Sequence, residues 1–510
     1  MPGADFLQLD PARAPAGGLT TWLTDALRDA VRDGRLRAGD RLPATRVLAG
    51  QLGCSRGVVV DAYRRLTDEG LLSGRRGGGT TVRTDWLPAP AEPARTPGRT
   101  PRTPTPSATT TPGTTSPGTT SPDITSPDIT AHGGGPPAGL PRIDLSPGLP
   151  DLSAFPRAAW ARAERAALSS LASADLGYGD PRGLPALREV LAGWLARTRG
   201  VRAHPDEILV VNGVSQGLLL LATVLRDHGI TRIGFEDPGS RGAREHIRRW
   251  GVDPVPLPVD DDGLNVAALD ASGLEAVLVT PAHQFPTGVA LAPGRRRELV
   301  AWSSGPSPRT ERPDGFPARL VVEDDYDAEH RYDRPPVPAL RGLAPDRVVH
   351  LGSVSKSLAP ALRLGWMLAP APMRAELTEA RYWTDLASPA LGQLALAHFI
   401  TSGAFDRHLR QVRRRHRARR DALLAALATH LPAATVHGVA AGLHLLVTLP
   451  GDVDDAALAA RAAESGVTVH PLSSHRRGAG PPGLVIGYAA AGPDRLREAV
   501  RRLAAVSRSA

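Results

Sequence analysis

Lysine is nearly absent from this chain: among 61 lysine and arginine residues, Lys356 is the only lysine. A coding bias toward arginine accounts for the depletion, but not for one lysine kept in Gly352-Ser353-Val354-Ser355-Lys356-Ser357, seven residues before Arg363. Cysteine is equally scarce. Cys54 stands alone, which excludes an intramolecular disulfide and fits a reducing compartment. Aromatic residues make up 4%, so the core is expected to consist mainly of Leu, Val and Ala. No uncharged apolar run approaches the roughly 18 residues of a membrane span, and Met1 to Asp10 lacks the basic-then-apolar pattern of a signal peptide. The expectation is a cytoplasmic protein with no membrane partner.

The hydrophobic content of 41% and charged content of 22% are globular values, and 510 residues suggest two or three domains. The net charge of +9 permits a nucleic-acid partner. The clearest boundary is compositional. Residues 87–142 include Thr109-Thr110-Thr111-Pro112-Gly113 and the near-repeats Thr120-Ser121-Pro122-Asp123-Ile124 and Thr125-Ser126-Pro127-Asp128-Ile129. Such a Pro/Thr/Ser/Gly stretch has little to bury and reads as a disordered linker. A mucin-like stalk is the alternative, but it requires secretion. The linker separates a basic module, residues 1–86, from a large domain, residues 143–510.

In the basic module, Trp22, Leu23, Ala26, Leu27, Ala30 and Val31 recur at helical spacing. A short helix is predicted from about Thr45 to Leu52. After the turn Gly53-Cys54, Ser55 is a good N-cap for a helix that aligns Val59, Ala62, Tyr63 and Leu66. This is a helix-turn-helix. Gly70-Leu71-Leu72 followed by Arg75 to Val82 reads as a hairpin with a glycine-rich tip, a wing. From Gly34 to Arg83 there are 10 arginines against 4 acidic residues, an excess that suits a phosphate backbone. The module resembles the winged helix of GntR-type bacterial regulators through Leu42-Pro43-Ala44-Thr45-Arg46, Leu48-Ala49, Cys54-Ser55-Arg56, Ala62-Tyr63-Arg64-Arg65-Leu66, Glu69-Gly70-Leu71 and Gly77-Gly78-Gly79-Thr80-Thr81-Val82. The resemblance implies that Arg46 and Arg56 contact double-stranded operator DNA, that Ser55 bonds a phosphate, and that Gly79 and Thr80 lie near the minor groove. Capping is the competing role for Ser55, and a protein-contact module the competing role for the winged helix. The family usually has Ser and Glu at the positions of Ala44 and Thr45, which removes one expected phosphate contact.

Beyond the linker, apolar runs at Ile208–Val211, Ala276–Val279, Leu320–Val322 and Val348–Leu351 alternate with amphipathic helices, the pattern of a largely parallel α/β sheet. Such folds place ligands at strand ends, and four strand-to-loop junctions carry suitable polar residues. Val211-Asn212-Gly213-Val214-Ser215-Gln216 opens a helix expected from Gly217 to Leu225, whose N-terminus can bind phosphate. Thr280 to Gly288 brings His283 and Gln284, although a lone histidine in such a loop can be purely structural. In Val322-Glu323-Asp324-Asp325-Tyr326-Asp327, the strand period places Asp324 and Tyr326 on one side. A divalent-metal cluster of Glu323, Asp324, Asp325 and Asp327 is the alternative, but it leaves Tyr326 and Lys356 unexplained. The fourth junction is the Ser-Val-Ser-Lys loop with Arg363. An ε-amine can attack an aldehyde to form a Schiff base, and serine hydroxyls with an arginine fork suit a phosphate. An aldehyde that also carries a phosphate points to pyridoxal 5′-phosphate (PLP), with a carboxylate opposite its ring nitrogen to keep it protonated and a tyrosine hydroxyl on its phenolic oxygen.

The four junctions resemble fold-type-I PLP enzymes of the aminotransferase class. More narrowly, the chain resembles the MocR subfamily, in which a GntR winged helix is joined by a linker to an aminotransferase-like domain. The resemblance rests on Tyr178-Gly179-Asp180-Pro181-Arg182-Gly183-Leu184, Thr280 to Gly288, Glu323 to Glu329, Ser355-Lys356-Ser357-Leu358-Ala359-Pro360 and Leu362-Arg363-Leu364-Gly365. It implies Lys356 as Schiff-base lysine, Asp324 on the pyridine nitrogen, Tyr326 on the phenolic oxygen, and Val214, Ser215, Ser353, Ser355 and Arg363 around the phosphate. By its loop position His283, with Gln284, is expected to approach the ring or its phenolic oxygen, and no metal is expected. It further implies a head-to-tail homodimer and a transcriptional regulator that senses PLP, or an amino compound captured by it. A working aminotransferase with an accessory DNA-binding module is the alternative, and a domain that has lost PLP a third. Two departures stand out. Where members often have an aromatic residue after Asp-Pro-Gly, this chain has Ser240, and Ser303 to Ala318 looks like a surface insertion. Arg241, Arg476 and Arg477 are candidates for a substrate carboxylate.

Overall fold

The computed structural model describes residues 18–32, 36, 39–75, 79–83, 142–306, 315–333 and 336–508, with Leu9, Pro11, Ala14 and Pro15. Residues 87–141 of the predicted linker and the wing tip at Arg76–Gly78 lie outside the described residues, as do residues 307–314, half of the predicted insertion.

The N-terminal module contains α1 (Leu19–Arg32), α2 (Thr45–Gln51) and α3 (Arg56–Asp68), then β1 (Leu72–Arg75) and β2 (Gly79–Val82). Leu23, Leu27 and Ala30 of α1 meet Leu48, Val59, Ala62 and Leu66 in one buried cluster. Each leucine so enclosed contributes roughly 1.5–3 kcal/mol. The Tyr63 hydroxyl donates to Pro43 O at 2.8 Å, tying α3 to the segment before α2. Arg28 holds the buried Glu69 carboxylate with bonds of 2.8 and 2.6 Å, closing α1 on the end of α3. The wing strands pair antiparallel, Leu72 opposite Val82. The predicted helices and hairpin are all present.

In the large domain, β3 (Ile143–Asp144), α4 (Arg157–Ser170) and α5 (Pro185–Arg199) precede β4 (Ile208–Val211), α6 (Val214–Asp227), β5 (Arg232–Asp237), α7 (Arg241–Arg249), β6 (Asp253–Asp260), β7 (Gly263–Leu264), α8 (Val266–Ala271), β8 (Ala276–Val279), α9 (Pro293–Ser303), β9 (Leu320–Asp325), β10 (Val348–Ser353) and β11 (Gly365–Leu368). Helices α10 (Arg374–Asp385), α11 (Ala390–Thr401) and α12 (Ala404–His430) follow. The sheet order is β4-β11-β10-β9-β8-β5-β6-β7. It is parallel from β10 to β6, with β11 and β7 antiparallel to their neighbours. All four predicted apolar runs are strands of this sheet. They read as unbroken apolar runs because both faces are covered, and β4 and β8 are buried at every position.

The C-terminal part packs a second antiparallel sheet, β12 (Thr435–His437), β13 (His444–Thr448), β15 (His470–Pro471) and β16 (Gly483–Gly487), against α12, α13 (Asp455–Glu464) and α14 (Pro493–Arg508). Between α13 and β15, β14 (Val467–Thr468) pairs with β3, so the segment after the linker is anchored in this C-terminal part. The winged helix meets the large domain through Arg202, whose guanidinium lies 2.9 Å from Asp25 and 3.0 Å from Asp29 of α1. Arg297 of α9 donates to Gly70 O at 3.2 Å.

Candidate functional site

The sheet topology gathers the four junctions at one edge. Helix α6 begins at Val214, three residues earlier than its apolar pattern indicates, so Val214 and Ser215 form its first turn. Gly213 precedes it with φ +82°, and a Cβ there would come within 2.8 Å of the Arg363 guanidinium. Glycine is therefore required both by the backbone and by the approach of Arg363. Arg363 itself adopts left-handed φ +49° and donates to Asn212 O. That residue from beyond β10 thus reaches the N-terminus of α6, where free N–H groups face the same space. Ser353, buried at the end of β10, accepts the Ser355 N–H through Oγ at 3.3 Å. His246 of α7 lies 2.7 Å from Ser215 O.

The carboxylates of β9 separate by side, as its period requires. Glu323 is buried, accepting from Leu340 N at 2.8 Å and Arg341 N at 3.2 Å, with His350 Nδ1 at 3.2 Å. Asp325 is gripped by Arg199 at 2.6 and 2.8 Å. Asp327 meets His283 Nδ1 at 2.8 Å. Among the described residues no group of three or more His, Cys, Asp or Glu side chains is arranged to hold a metal ion, because these carboxylates face different partners.

Asp324 is the exception. Its Oδ1 is enclosed and has no hydrogen-bond partner. Burial, with Asp325 nearby and only Lys356 opposing, pushes its pKa up to about 7. An enclosed acceptor with no donor is unfavourable unless a ligand supplies one, and a protonated ring nitrogen is such a donor. Tyr326 donates its hydroxyl to His283 O at 3.0 Å and lies 3.2 Å from His283 Nδ1, so Tyr326, His283 and Asp327 form one network. Lys356 Nζ donates to Gly148 O at 2.7 Å. Burial lowers the pKa of its amine, against the pull of Asp324 and Asp327, which favours the neutral nucleophile. The loop carrying it is pinned by two histidines: His330 Nε2 lies 3.2 Å from Lys356 O and His408 Nε2 lies 2.8 Å from Ser357 O. Burial keeps both below their ordinary pKa, His330 at about 4, so each can donate from a neutral ring. The lysine, the partnerless carboxylate, the tyrosine and the N-terminus of α6 together fit a planar aldehyde carrying a phosphate.

Gly148, Arg199, His330 and His408 are absent from the sequence-derived site. Gly148 lies 208 residues from Lys356, and a positive φ of +83° is its one local peculiarity. Gln284 is buried and serves the loop, donating to Pro238 O at 2.9 Å and Phe285 O at 2.8 Å. Ser240, in place of the expected aromatic residue, caps α7 by accepting from Ala243 N at 3.2 Å. Of the candidate carboxylate-binding arginines, Arg476 is bonded to Pro481 O at 2.7 Å, Arg477 lies 3.8 Å from Glu245, and Arg241 is exposed at the start of α7.

On the winged helix, Arg46, Ser55 and Arg56 are exposed on α2 and at the start of α3. Ser55 occupies the N-cap position, yet its side chain makes no cap bond, so its hydroxyl is available. Ala44 takes the N-cap position of α2 and makes no side-chain cap bond either. Arg56 Nε donates to Thr45 Oγ1 at 3.3 Å. At the base of the wing, Gly79 has φ +80° and a Cβ there would lie 2.6 Å from Arg41 Nε, while Thr80 is half-buried.

Residues 19–82 match the model of the bacterial regulatory proteins of the gntR family, and residues 141–302 and 321–503 match aminotransferase class I and II. The chain is 35% identical over 485 residues, 94% of each chain, to the HTH-type pyridoxine biosynthesis transcriptional regulator PdxR of Corynebacterium glutamicum. It is 33% identical to the probable rhizopine catabolism regulatory protein MocR of Rhizobium meliloti, covering 94% of this chain and 92% of that one. The fold superposes on Pyrococcus horikoshii kynurenine aminotransferase with a TM-score of 0.65 and 26% identity, covering 73% of this chain and 92% of that one. With both modules matched and relatives aligned from end to end, the chain belongs to the MocR-type GntR regulators, transcription regulators that join a DNA-binding winged helix to a PLP-binding, fold-type-I aminotransferase-like domain.

Proposed function

We propose that this chain senses PLP, or an amino compound captured through it, at Lys356, and passes that occupancy to the winged helix on operator DNA. The observation that carries the reading is the enclosed, partnerless Oδ1 of Asp324 in the site that also holds the chain's single lysine. In this reading Asp324 holds the proton on the ring nitrogen, Tyr326 and His283 orient the phenolic oxygen, and Val214, Ser215, Ser353, Ser355 and Arg363 bind the phosphate. PLP supplies an electrophilic carbon that links covalently to an amine. Arg46 and Arg56 contact the DNA, Ser55 bonds a phosphate, and Gly79 and Thr80 place the wing at the minor groove.

The chain works as a homodimer in the cytoplasm, with residues 1–86 and 143–510 as its two modules and 87–142 as the linker. Two winged helices then engage two half-sites, which multiplies affinity. Footprinting of the DNA upstream of the gene, with and without PLP, tests the reading. PLP must change affinity or footprint, because a ligand shifts only an equilibrium whose states it binds differently. Identical footprints with and without PLP and in Lys356→Ala, alongside multiple-turnover transamination, would favour an enzyme.

A further inference from the structure

A cavity of about 580 Å³ lies between the winged helix and the large domain, and neither Lys356 nor Asp324 is among its lining residues. Six arginines that line it make no ion pair within 4 Å of a carboxylate among the described residues: Arg65 of α3, Arg197 near the end of α5, and Arg410, Arg413, Arg414 and Arg417 of α12. The four on α12 follow the i, i+3, i+4, i+7 spacing of one helix face, where like charges repel. Three of them hydrogen-bond neutral groups. Arg65 reaches Thr21 Oγ1 at 3.5 Å, Arg197 reaches Gly193 O at 3.1 Å, and Arg413 reaches Leu409 O at 3.4 Å.

The carboxylates of the lining do not balance this charge. Asp25 is taken by Arg28 and Arg202, and Asp333 by Arg331. Burial, with Asp325 nearby and Arg199 opposing, raises the Glu329 carboxyl to about 7, and Glu329 and Asp406 attract Arg413 from beyond ion-pair distance. Burial also lowers the pKa of Arg65 and of Arg413. Arg65 Nε and Arg331 Nη1, both on lining residues, are enclosed donors with no acceptor. Arg197, Arg410, Arg414 and Arg417 are exposed at the rim, whereas Arg65 and Arg413 are half-buried, and a partly desolvated guanidinium with unused donors is unfavourable unless an anion completes it.

We propose that this cavity is an anion site that takes a small phosphate-bearing molecule with two or more negative charges. Guanidinium forks match phosphate oxygens in geometry and charge, and the volume lies within the range of small-molecule sites. The ligand bonds Arg65 from the winged helix and Arg413 and Arg414 from the large domain together, so its presence fastens one module to the other.

The test is calorimetric titration of the full-length protein, first saturated with PLP and reduced with borohydride so that the Lys356 site is filled. Three arms, inorganic pyrophosphate, a nucleoside triphosphate and free PLP, distinguish sources of the same phosphate chemistry. At least one is expected to bind at a single saturable site. Affinity should fall at least about tenfold in Arg65→Gln and in Arg414→Gln/Arg417→Gln, and should be largely kept in Arg414→Lys/Arg417→Lys. Pyrophosphate should raise the thermal midpoint of the parent protein and not that of the Gln variants, whose midpoints without ligand report that they fold. Absence of saturable binding in all three arms at millimolar concentration, or affinity unchanged in the folded Gln variants, overturns the proposal. Displacement of bound pyrophosphate by non-specific duplex DNA would assign the cavity to DNA and overturn the small-molecule reading.

Discussion

Arg199 grips Asp325 with bonds of 2.6 and 2.8 Å, and Asp325 is the immediate neighbour of Asp324, the carboxylate proposed for the ring nitrogen. The pair is buried on both sides. Removing one partner therefore strands a charge, whereas replacing both does not. Arg199→Met should cost roughly 3–5 kcal/mol in denaturant unfolding, and Arg199→Met with Asp325→Leu should recover most of it. A single variant as stable as the parent would mean that the pair contributes nothing to the fold.

Purified protein should be yellow, and borohydride should fix the chromophore on Lys356. Lys356→Ala should lose the visible band outright, since no second lysine can replace it. Peptide mass spectrometry that places the pyridoxyl group elsewhere, for example on the N-terminal amine, would remove Lys356 from its assigned role.

PLP binding should depend on pH through Asp324. Burial, with Asp325 nearby, holds this carboxyl at about 7 even against Lys356, so it is mostly protonated below that pH and mostly ionised above. Pairing with a protonated ring nitrogen requires the ionised form. Affinity should therefore rise as pH climbs from about 6 to about 8, by as much as tenfold per unit below the pKa. Asp324→Asn should bind more weakly with a shallower rise, and Tyr326→Phe should shift the absorption maximum or its titration. Equal slopes in the parent and Asp324→Asn, with both variants keeping parental spectra, would remove Asp324 and Tyr326 from the ring.

Arg56→Ala should lose about 1–3 kcal/mol of operator binding if its side chain reads a base, and specificity should relax at that position. Arg46→Ala should weaken binding to all sequences and lower the salt slope if its contact is a phosphate. Competition between operator and scrambled duplexes at several salt concentrations separates the two roles, and unchanged binding in both variants would place the DNA on another face.

Much of this was legible in the chain. The strands of the large sheet are readable because two-sided burial makes them continuous apolar runs, and the winged helix because its three helices each place an apolar stripe on one cluster. Asp324 and Tyr326 follow from strand alternation. Contacts between distant segments leave no such trace. Gly148 carries no reactive group, and its role consists of one carbonyl oxygen aimed at Lys356. Arg199 is one of many arginines in this composition, distinguished only by where α5 ends. The start of α6 was displaced by three residues because Val214, Ser215 and Gln216 do not continue its apolar pattern, although N–H groups freed at a helix start favour that location for a ligand. Ser55 sits where a cap belongs, but whether its hydroxyl turns inward is settled by rotamer, not by residue type.

Having a single ε-amine also sets the chemistry available to the whole molecule. Reactive aldehydes in a cell form adducts with any accessible, unprotonated lysine, and an ordinary surface offers dozens. Here arginine carries nearly all of the positive charge, and its guanidinium stays protonated and does not condense in the same way. The lone amine is held against a backbone carbonyl, at the 2.7 Å contact with Gly148, inside a site that burial makes less basic. Selectivity is thereby achieved by depletion: stray carbonyl compounds find no other lysine to modify, and among side chains an amine-directed label will report on one position alone.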